Sequence, residues 1–544
     1  MPGARNRAAE QSDRMSDRRW QGAAADKGRD AYMKSPRGAL LGGLLLLFPV
    51  LVVHLALGEL AYDDAYIHFR IARHLASHGV PFFNLGEAVM GSSSSVWTLM
   101  LALPASLGLS LPATVPVLNA LFTTAGAVAF VQLLSRLAPA ASGTMIWLFV
   151  LPYVSMVHYA SIGLMETPLA LLALALTLIA VFDHRPLAFV AVGALPFFRL
   201  EWAVFVVLLV GFQGLSRGRW LRTVLLTATG ALPFVLYNLA YFGTLIPHAI
   251  GAKRLVYSLT TADFFAILSD HAAPFGLLFR WSVVSLVVLA AAAYFASRGA
   301  ALLMPLREGV KQPQFISVLL VVGGLGIALT YFVARGFVFP WYVPLFAVPI
   351  VCGVIALGLS QFSKRPEISW ACLLVIVLIP HGYEIGRTTV AAAGRPYLYE
   401  RFEVLARVRT YMDIGARLAA AMPNASIMAA EIGGLGETFP GHIYDGVGLV
   451  SPKALKYHPL RVPEQRMLGY IGAIPPGYVE EVRPELIVGM DEFVRAVLAS
   501  PVRSHYTIRR TDIYGPADAL VLASDELWYS RFIQTLVRND LPQR

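Results

Sequence analysis

Apolar runs of roughly 20 residues, the length needed to cross a bilayer core, recur along the first 386 positions of the chain. They fall at 39–58, 114–135, 144–162, 167–182, 187–213, 221–242, 275–297, 315–334, 339–361 and 368–386. The run at 187–213 is long and is interrupted by "PFFRLEW", so it divides into short helices over about 186–198 and 200–213. The pattern therefore predicts eleven transmembrane helices. A further apolar stretch at 92–108 contains Pro104 and stops before Pro112; it reads as an interfacial or re-entrant helix. Basic residues cluster in alternate loops: Arg136, then His184 and Arg185, then "SRGRWLR" (216–222), then 298–311, then "SKR" (363–365). The positive-inside rule places those loops in the cytoplasm together with the N-terminus. Counting 92–108 as a span and 187–213 as one helix gives a second consistent scheme, which moves Arg136 outside and Glu166 inside.

After residue 386 the pattern changes. Short β-type runs ("ASIMAAEI", "GHIYDGVGLV", "ELIVGM", "ALVLAS") alternate with helical stretches such as 398–421, which predicts an α/β domain over 387–544. An odd number of spans sets it on the extracytoplasmic side. The expected organisation is a disordered cytoplasmic tail (1–38), a transmembrane domain (39–386) with its first outer loop at 59–113, and the C-terminal domain.

Composition supports this reading. The chain is 57% hydrophobic and 14% charged, against about 25% charged for a soluble protein. Soluble-enzyme classes are excluded. The net charge of +10 fits loops facing an anionic leaflet, with no nucleic acid as partner. The tail holds nine Lys/Arg and five Asp/Glu and no apolar run, and no small-residue cleavage pattern follows 41–57, so that run stays as an anchor. Cys352 and Cys372 both lie in apolar runs, so neither a disulfide nor a cysteine metal site is expected. No P-loop and no GxGxxG precedes a helix, so no nucleotide site is expected.

In the first scheme the charges that look buried converge on one face: Asp63 and Asp64, Glu166 in "GLMETP", Arg199 and Glu201 in "FFRLEW", the loop "YFGTLIPHAIGAKR" (241–254), and Arg335 with Trp341 in "ARGFVFPWY". Ionisable groups at membrane depth are functional candidates. An N-cap needs one aspartate, and here there are two. One of Asp63 and Asp64 suits a general base or a metal ligand. The helix they open carries Ile67, Ile71 and Leu75 on one stripe, which suits a helix lying in the membrane interface. Glu166 begins a span, and Arg199 and Glu201 form a local ion pair between short helices. Lys253, with Arg254, His248, Arg199 and Arg335, can bind a phosphate. Trp341 and Tyr342 suit an interfacial belt or the stacking of a sugar. A divalent cation on Asp63 or Asp64 with Glu166 is compatible with the pattern and is not required by it.

The stretch "YDDAYIHFRIARHLASHGVPFFNLGEAVMGSSSSVWTLML" (62–101) resembles the first outer loop of GT-C glycosyltransferases. It is closest to the group that includes mycobacterial arabinofuranosyltransferases acting late in arabinan assembly. Asn84, Gly86, Glu87 and Trp97 match that loop's second element. "GLMETPLALL", "FFRLEWAVF", "YFGTLIPHAIGAKR" and "AEIGGLGETFPGHIYDGVGLVSP" resemble further elements of the family in order, with Leu200, His248 and Glu431 as departures. The resemblance covers most of 40–460. It implies a GT-C-type fold in a bacterial inner membrane, a polyprenyl-phosphate sugar donor and a glycan or glycolipid acceptor, with arabinofuranose as one candidate sugar. It also implies an acidic residue of the first loop at the acceptor or a metal, for which Asp63 is favoured, and a second acidic site at Glu166. Glu201 joins Glu166 as a group for acceptor or cation binding. The alternative is a transporter or flippase of lipid-linked sugars, which explains the spans and charges and leaves the C-terminal domain unaccounted for.

Overall fold

The computed structural model describes residues 34–57, 61–217, 220–257, 259–272, 313–361, 403–460, 474–513 and 532–541. The tail over 1–33, the spans at 275–297 and 368–386, the basic loops at 298–311 and 363–365, the run "ALVLAS" and Cys372 lie outside the described residues.

Among the described residues, five helices are long and apolar enough to cross a membrane. They are α1 (Pro36–Leu57), α4 (Leu111–Leu137), α10 (Trp220–Phe242), α13 (Pro313–Ala334) and α14 (Val343–Gln361). Between α1 and α4 lie α2 (Asp63–His78) and α3 (Ser95–Ser106). α4 leads to α5 (Gly143–Trp147), α6 (Val150–Ile162), α7 (Thr167–Phe182), α8 (Ala188–Phe198) and α9 (Ala203–Arg217). α11 (His248–Tyr257) and α12 (Thr261–Ala272) follow α10. These apolar helices make the chain a membrane protein. Four of the eleven expected spans correspond to the shorter pieces α5–α6, α7, α8 and α9, so helix length alone does not reproduce the count. The 12 residues of α3 rise about 18 Å, short of a bilayer core. The break expected inside 187–213 sits at Arg199, whose extended backbone (φ −154°, ψ 130°) ends α8 before one 3-10 turn, Leu200–Trp202, runs into α9.

The C-terminal part opens with α15 (Glu403–Ala421) and β1 (Ile427–Ala429), followed by α16 (Gly433–Thr438) and β2 (Ile443–Asp445). Then come α17 (Pro476–Val482), β3 (Leu486–Met490), α18 (Asp491–Leu498), β4 (Tyr506–Ile513) and β5 (Phe532–Arg538). The five strands form one sheet in the order β2-β1-β3-β5-β4. β1 pairs in parallel with β2 and β3, with Ile427 opposite Ile443 and Leu486; β5 runs antiparallel to β3 and β4. Every side chain of β3 is buried, as expected of a central strand covered on both faces.

Among the described residues there are two large hydrophobic cores and one small cluster around Tyr257, Leu259 and Phe337, and α2 belongs to both large cores. Tyr62, Ala65, Tyr66, Phe69 and Ala72 pack into the core of the membrane helices, whereas Ile67, Ile71 and Phe83 pack into the core of the sheet. The Ile67/Ile71 stripe therefore covers the sheet unit. The expectation of an interfacial helix is corrected here: Ile67 is 5% and Ile71 1% exposed and Leu75 is half-buried, so the stripe faces the sheet unit and not lipid.

Candidate active site

The two adjacent aspartates at the start of α2 have different partners. Asp63 accepts a hydrogen bond at each carboxylate oxygen, from Gly433 N (2.9 Å) and Gly434 N (2.8 Å), and so caps the start of α16 from 370 residues away. A carboxylate there matches the unpaired amides and the positive end of that helix. The approach requires glycine: a Cβ on Gly433 would stand 1.8 Å from the Asp63 carbonyl oxygen. Burial raises the Asp63 pKa, the two amides and Arg407 lower it, and Asp64 adds to the rise.

Two turns along α2, Arg70 serves the other end of α16. It donates to the carbonyls of Gly436 (3.1 Å), Phe439 (2.6 Å) and Gly441 (2.8 Å), and its Nε to that of Phe83 (2.9 Å). Burial, with Arg73 adding to it, pushes Arg70 down to about 10, which leaves it charged at neutral pH. Arg73 makes a bidentate pair with Glu437 at 2.6 Å on both arms. Asn84 then pairs like a peptide with the outer edge of β2: its Nδ2 donates to Ile443 O (2.9 Å) and its Oδ1 accepts from Ile443 N (3.2 Å). Asp63, Arg70, Arg73 and Asn84 thus dock the sheet unit onto the segment after α1.

Asp64 faces the helices. Its Oδ2 is 2.9 Å from Lys253 Nζ on α11, which also donates to the Tyr342 hydroxyl (3.3 Å) and lies 4.4 Å from the Phe339 ring centroid. Burial opposes the charge on Lys253; Asp64 and Tyr342 outweigh it and hold its pKa above the ordinary lysine range. Arg199 stands over the Tyr342 ring at 4.5 Å. It makes a bidentate pair with Glu201 (3.1 and 2.6 Å) and a close ion pair with Glu166 Oε1, while Tyr331 donates to Glu201. The break at residue 199 makes this possible, because it turns the guanidinium out of the α8–α9 axis toward the start of α7. The residues expected to act together at Asp64, Glu166, Arg199, Glu201, Lys253 and Tyr342 are thus one connected network.

Other expected site residues fall elsewhere. His248 is held between the two units, its backbone N on Met90 O (3.0 Å) and its side chain beside Gly448; burial lowers its pKa, and the Gly448 contact partly offsets that. Arg254 and Arg335 are exposed, and Arg335 sits in a left-handed turn (φ 48°) after α13. Trp341 is 5% exposed with its ring between Tyr62 and Phe339, each 4.5 Å away. Tyr342 lies between Arg199 and Tyr331. Stacking of a sugar on either ring requires a neighbour to move. Among the described residues, no group of three or more His, Cys, Asp and Glu side chains is placed to hold a metal ion. Asp63 accepts from two amides, and Asp64 and Glu166 each give one oxygen to a cation of the chain.

Sequence reasoning missed His68. It lies one turn after Asp64 on α2, 4% exposed, with its Nδ1 3.0 Å from Ser92 Oγ and its Nε2 4.0 Å from Glu166 Oε2. The signal was present, since positions 64 and 68 share a helix face. It also missed an apolar groove of about 280 Å³ between α12, α13 and α14, lined by Phe264, Phe265, Leu268, Leu329 and Phe332 and reaching Tyr331.

No protein-family model matches the chain, and no curated protein does. Among solved structures, the chain is similar to a crystal structure of ArnT from Cupriavidus metallidurans bound to undecaprenyl phosphate, with 12% identity and a TM-score of 0.46 over 94% of this chain and 100% of that one.

Proposed function

We propose that the chain is an integral-membrane glycosyltransferase. It moves a sugar from a polyprenyl-phosphate donor to a glycan or glycolipid acceptor at the extracytoplasmic face. The observation that carries this reading is the Asp64–Lys253 pair, a carboxylate and an ammonium held together at the top of a helical bundle and continuous with Arg199 and Glu166. A carboxylate that can take a proton beside a cation that can take a phosphate is what such a transfer needs. The groove ending at Tyr331 supports the reading, since it offers an apolar channel for a prenyl chain next to the same network.

In this reading Asp64 is the base, and Asp63, whose two oxygens are occupied by amides, is not. The acceptor hydroxyl gives its proton to Asp64 as its oxygen bonds to the anomeric carbon. The bond from that carbon to the phosphate oxygen breaks, and the electron pair leaves with the polyprenyl phosphate. Neutralising Asp64 frees Lys253 from its ion pair as negative charge grows on the phosphate, so the cation acts more strongly in the transition state than in the ground state. Arg199, locked by two glutamates, orients Glu166 and Tyr342. Arg335 and Arg254 are exposed cations for the phosphate's approach.

The test is sugar transfer by the purified protein in detergent, from a panel of polyprenyl-phosphate sugars to an oligosaccharide acceptor. Asp64→Asn is expected to lower kcat by about 10²–10⁴, the worth of a general base. Asp63→Asn is expected to keep most of kcat in the fraction that folds. Equal rates in wild type and Asp64→Asn overturn the assignment of Asp64, and no transfer from any donor overturns the function.

A further inference from the structure

Glu166 is 1% exposed, and only one of its oxygens is satisfied. Oε1 takes Arg199 and, at 3.4 Å, the Ser93 hydroxyl; Oε2 has no hydrogen-bond partner. A buried carboxylate oxygen without a donor is costly. The atom facing it is His68 Nε2, at 4.0 Å, beyond hydrogen-bond reach. The polar contacts of the serine turn assign the state of that ring. Ser92 Oγ accepts from Thr98 Oγ1 (2.9 Å) and from Ser94 N (3.2 Å), which fills its two lone pairs, and it stands 3.0 Å from Ser94 O, a carbonyl that already takes Thr98 N (3.2 Å). With both lone pairs taken, Ser92 Oγ meets His68 Nδ1 (3.0 Å) as the donor, sharing its hydrogen with Ser94 O, which leaves the proton of the neutral ring on Nε2. Burial lowers the His68 pKa, with Arg199 and Lys253 adding to that, against Glu166 and Asp64.

An N–H donor and a carboxylate acceptor therefore face each other across a gap too wide for a direct bond. An oxygen placed off their axis reaches both at about 2.8 Å. A hydroxyl matches this pair, because it accepts from one side and donates to the other; an ammonium has nothing to accept with, and a phosphate is repelled by Glu166. We propose that His68 and Glu166 form a subsite for one neutral sugar hydroxyl, next to the Asp64–Lys253 pair. This rests on the glycosyltransferase reading and adds to it a specificity-determining residue on α2. The hydroxyl belongs to the acceptor or to the donor sugar, and the kinetics tell which.

The test uses the full-length protein in detergent, with a donor and an oligosaccharide acceptor that the wild type turns over, each varied at saturating levels of the other. His68→Phe is expected to raise the KM of one substrate by about tenfold, the size of one neutral hydrogen bond, and to change kcat by less than about threefold. His68→Gln, whose amide keeps an N–H donor at similar reach, is expected to restore that KM to within about threefold of wild type. The substrate whose KM moves is the source of the hydroxyl. Should His68→Phe fail to fold, His68→Asn, whose amide falls short of the gap, takes its place with the same expectation. Unchanged KM values for both substrates, or a His68→Gln as impaired as His68→Phe, overturn the subsite while leaving the transferase reading intact. A wild type that transfers no sugar overturns that reading and the subsite with it.

Discussion

Adjacent residues of one type can carry unrelated tasks when a helix presents them to different neighbours. Asp63 and Asp64 are separated by about 100° around α2, so one meets the sheet unit and the other the membrane helices. Their doubling in the sequence did not tell which carboxylate meets which unit. That depended on Gly433 and Gly434, 370 residues away. Beside Asp63 lies Glu431, 2.7 Å from Arg407 with Tyr411 next to it. Burial pushes Glu431 up to about 7, with Arg407 opposing and Asp63 adding to the rise. The folded state then binds a proton at Glu431 that the unfolded chain has lost. Its contribution to stability is complete below the ordinary glutamate pKa of about 4.5 and is lost as pH rises through about 7. Glu431→Gln removes the titration. Melting temperatures of the two proteins in detergent are expected to diverge between about pH 4.5 and 7, with the variant gaining on wild type as pH rises. A constant difference across that range overturns the assignment.

At the scale of elements, hydrophobic periodicity located the bundle helices and the break at Arg199, because a charged residue between two apolar runs leaves a mark in the pattern. Partners did not leave such a mark. The Ile67/Ile71 stripe on α2 is as apolar as a lipid-facing one, and only the position of α16 and α15 shows what it covers. β4 and β5 escaped the sequence reading for a related reason. β4 is an edge strand, solvent-exposed on both faces at most positions, so "TIRRTDI" carries no alternation. The six-residue α16 is too short to stand alone and depends on its contacts with α2. Gly433→Ala, with a Cβ 1.8 Å from the Asp63 carbonyl, is expected to destabilise the protein by about 1–3 kcal/mol. Gly251→Ala, on α11 with nothing within 4 Å of its Cβ, is expected to stabilise it by about 0.5–1 kcal/mol through helix propensity. Thermal unfolding of both variants in the same detergent measures the contrast, and a neutral Gly433→Ala contradicts the close approach.

For the whole molecule, the segments singled out along the chain prove to be one assembly. "DDAYIHFRIAR", "FFNLGE" and "EIGGLGETFPGHI" meet at the α2–α16 contact, whereas Glu166, Arg199 and Lys253 meet on the opposite face of α2. α2 is therefore a shared wall, and a force that tilts it to relieve the sheet unit also shifts Asp64 and His68 against Lys253 and Glu166. Arg70 is the residue on which this coupling depends most, since one guanidinium bonds the carbonyls at 83, 436, 439 and 441. Arg70→Met keeps the bulk of the stem and leaves those carbonyls without the charged donor, a loss of at least about 1.5–3 kcal/mol for the first bond to a charged group. Wild type is expected to unfold in one transition, because α2 belongs to both cores. In Arg70→Met the sheet unit is expected to melt first, which limited proteolysis followed over temperature reads as early cleavage after residue 403 while the bundle stays intact. Transfer activity is expected to fall with that first transition and not with the second. A single transition in the variant, with wild-type activity up to it, shows instead that the two units are held together without Arg70 and that α2 does not couple them.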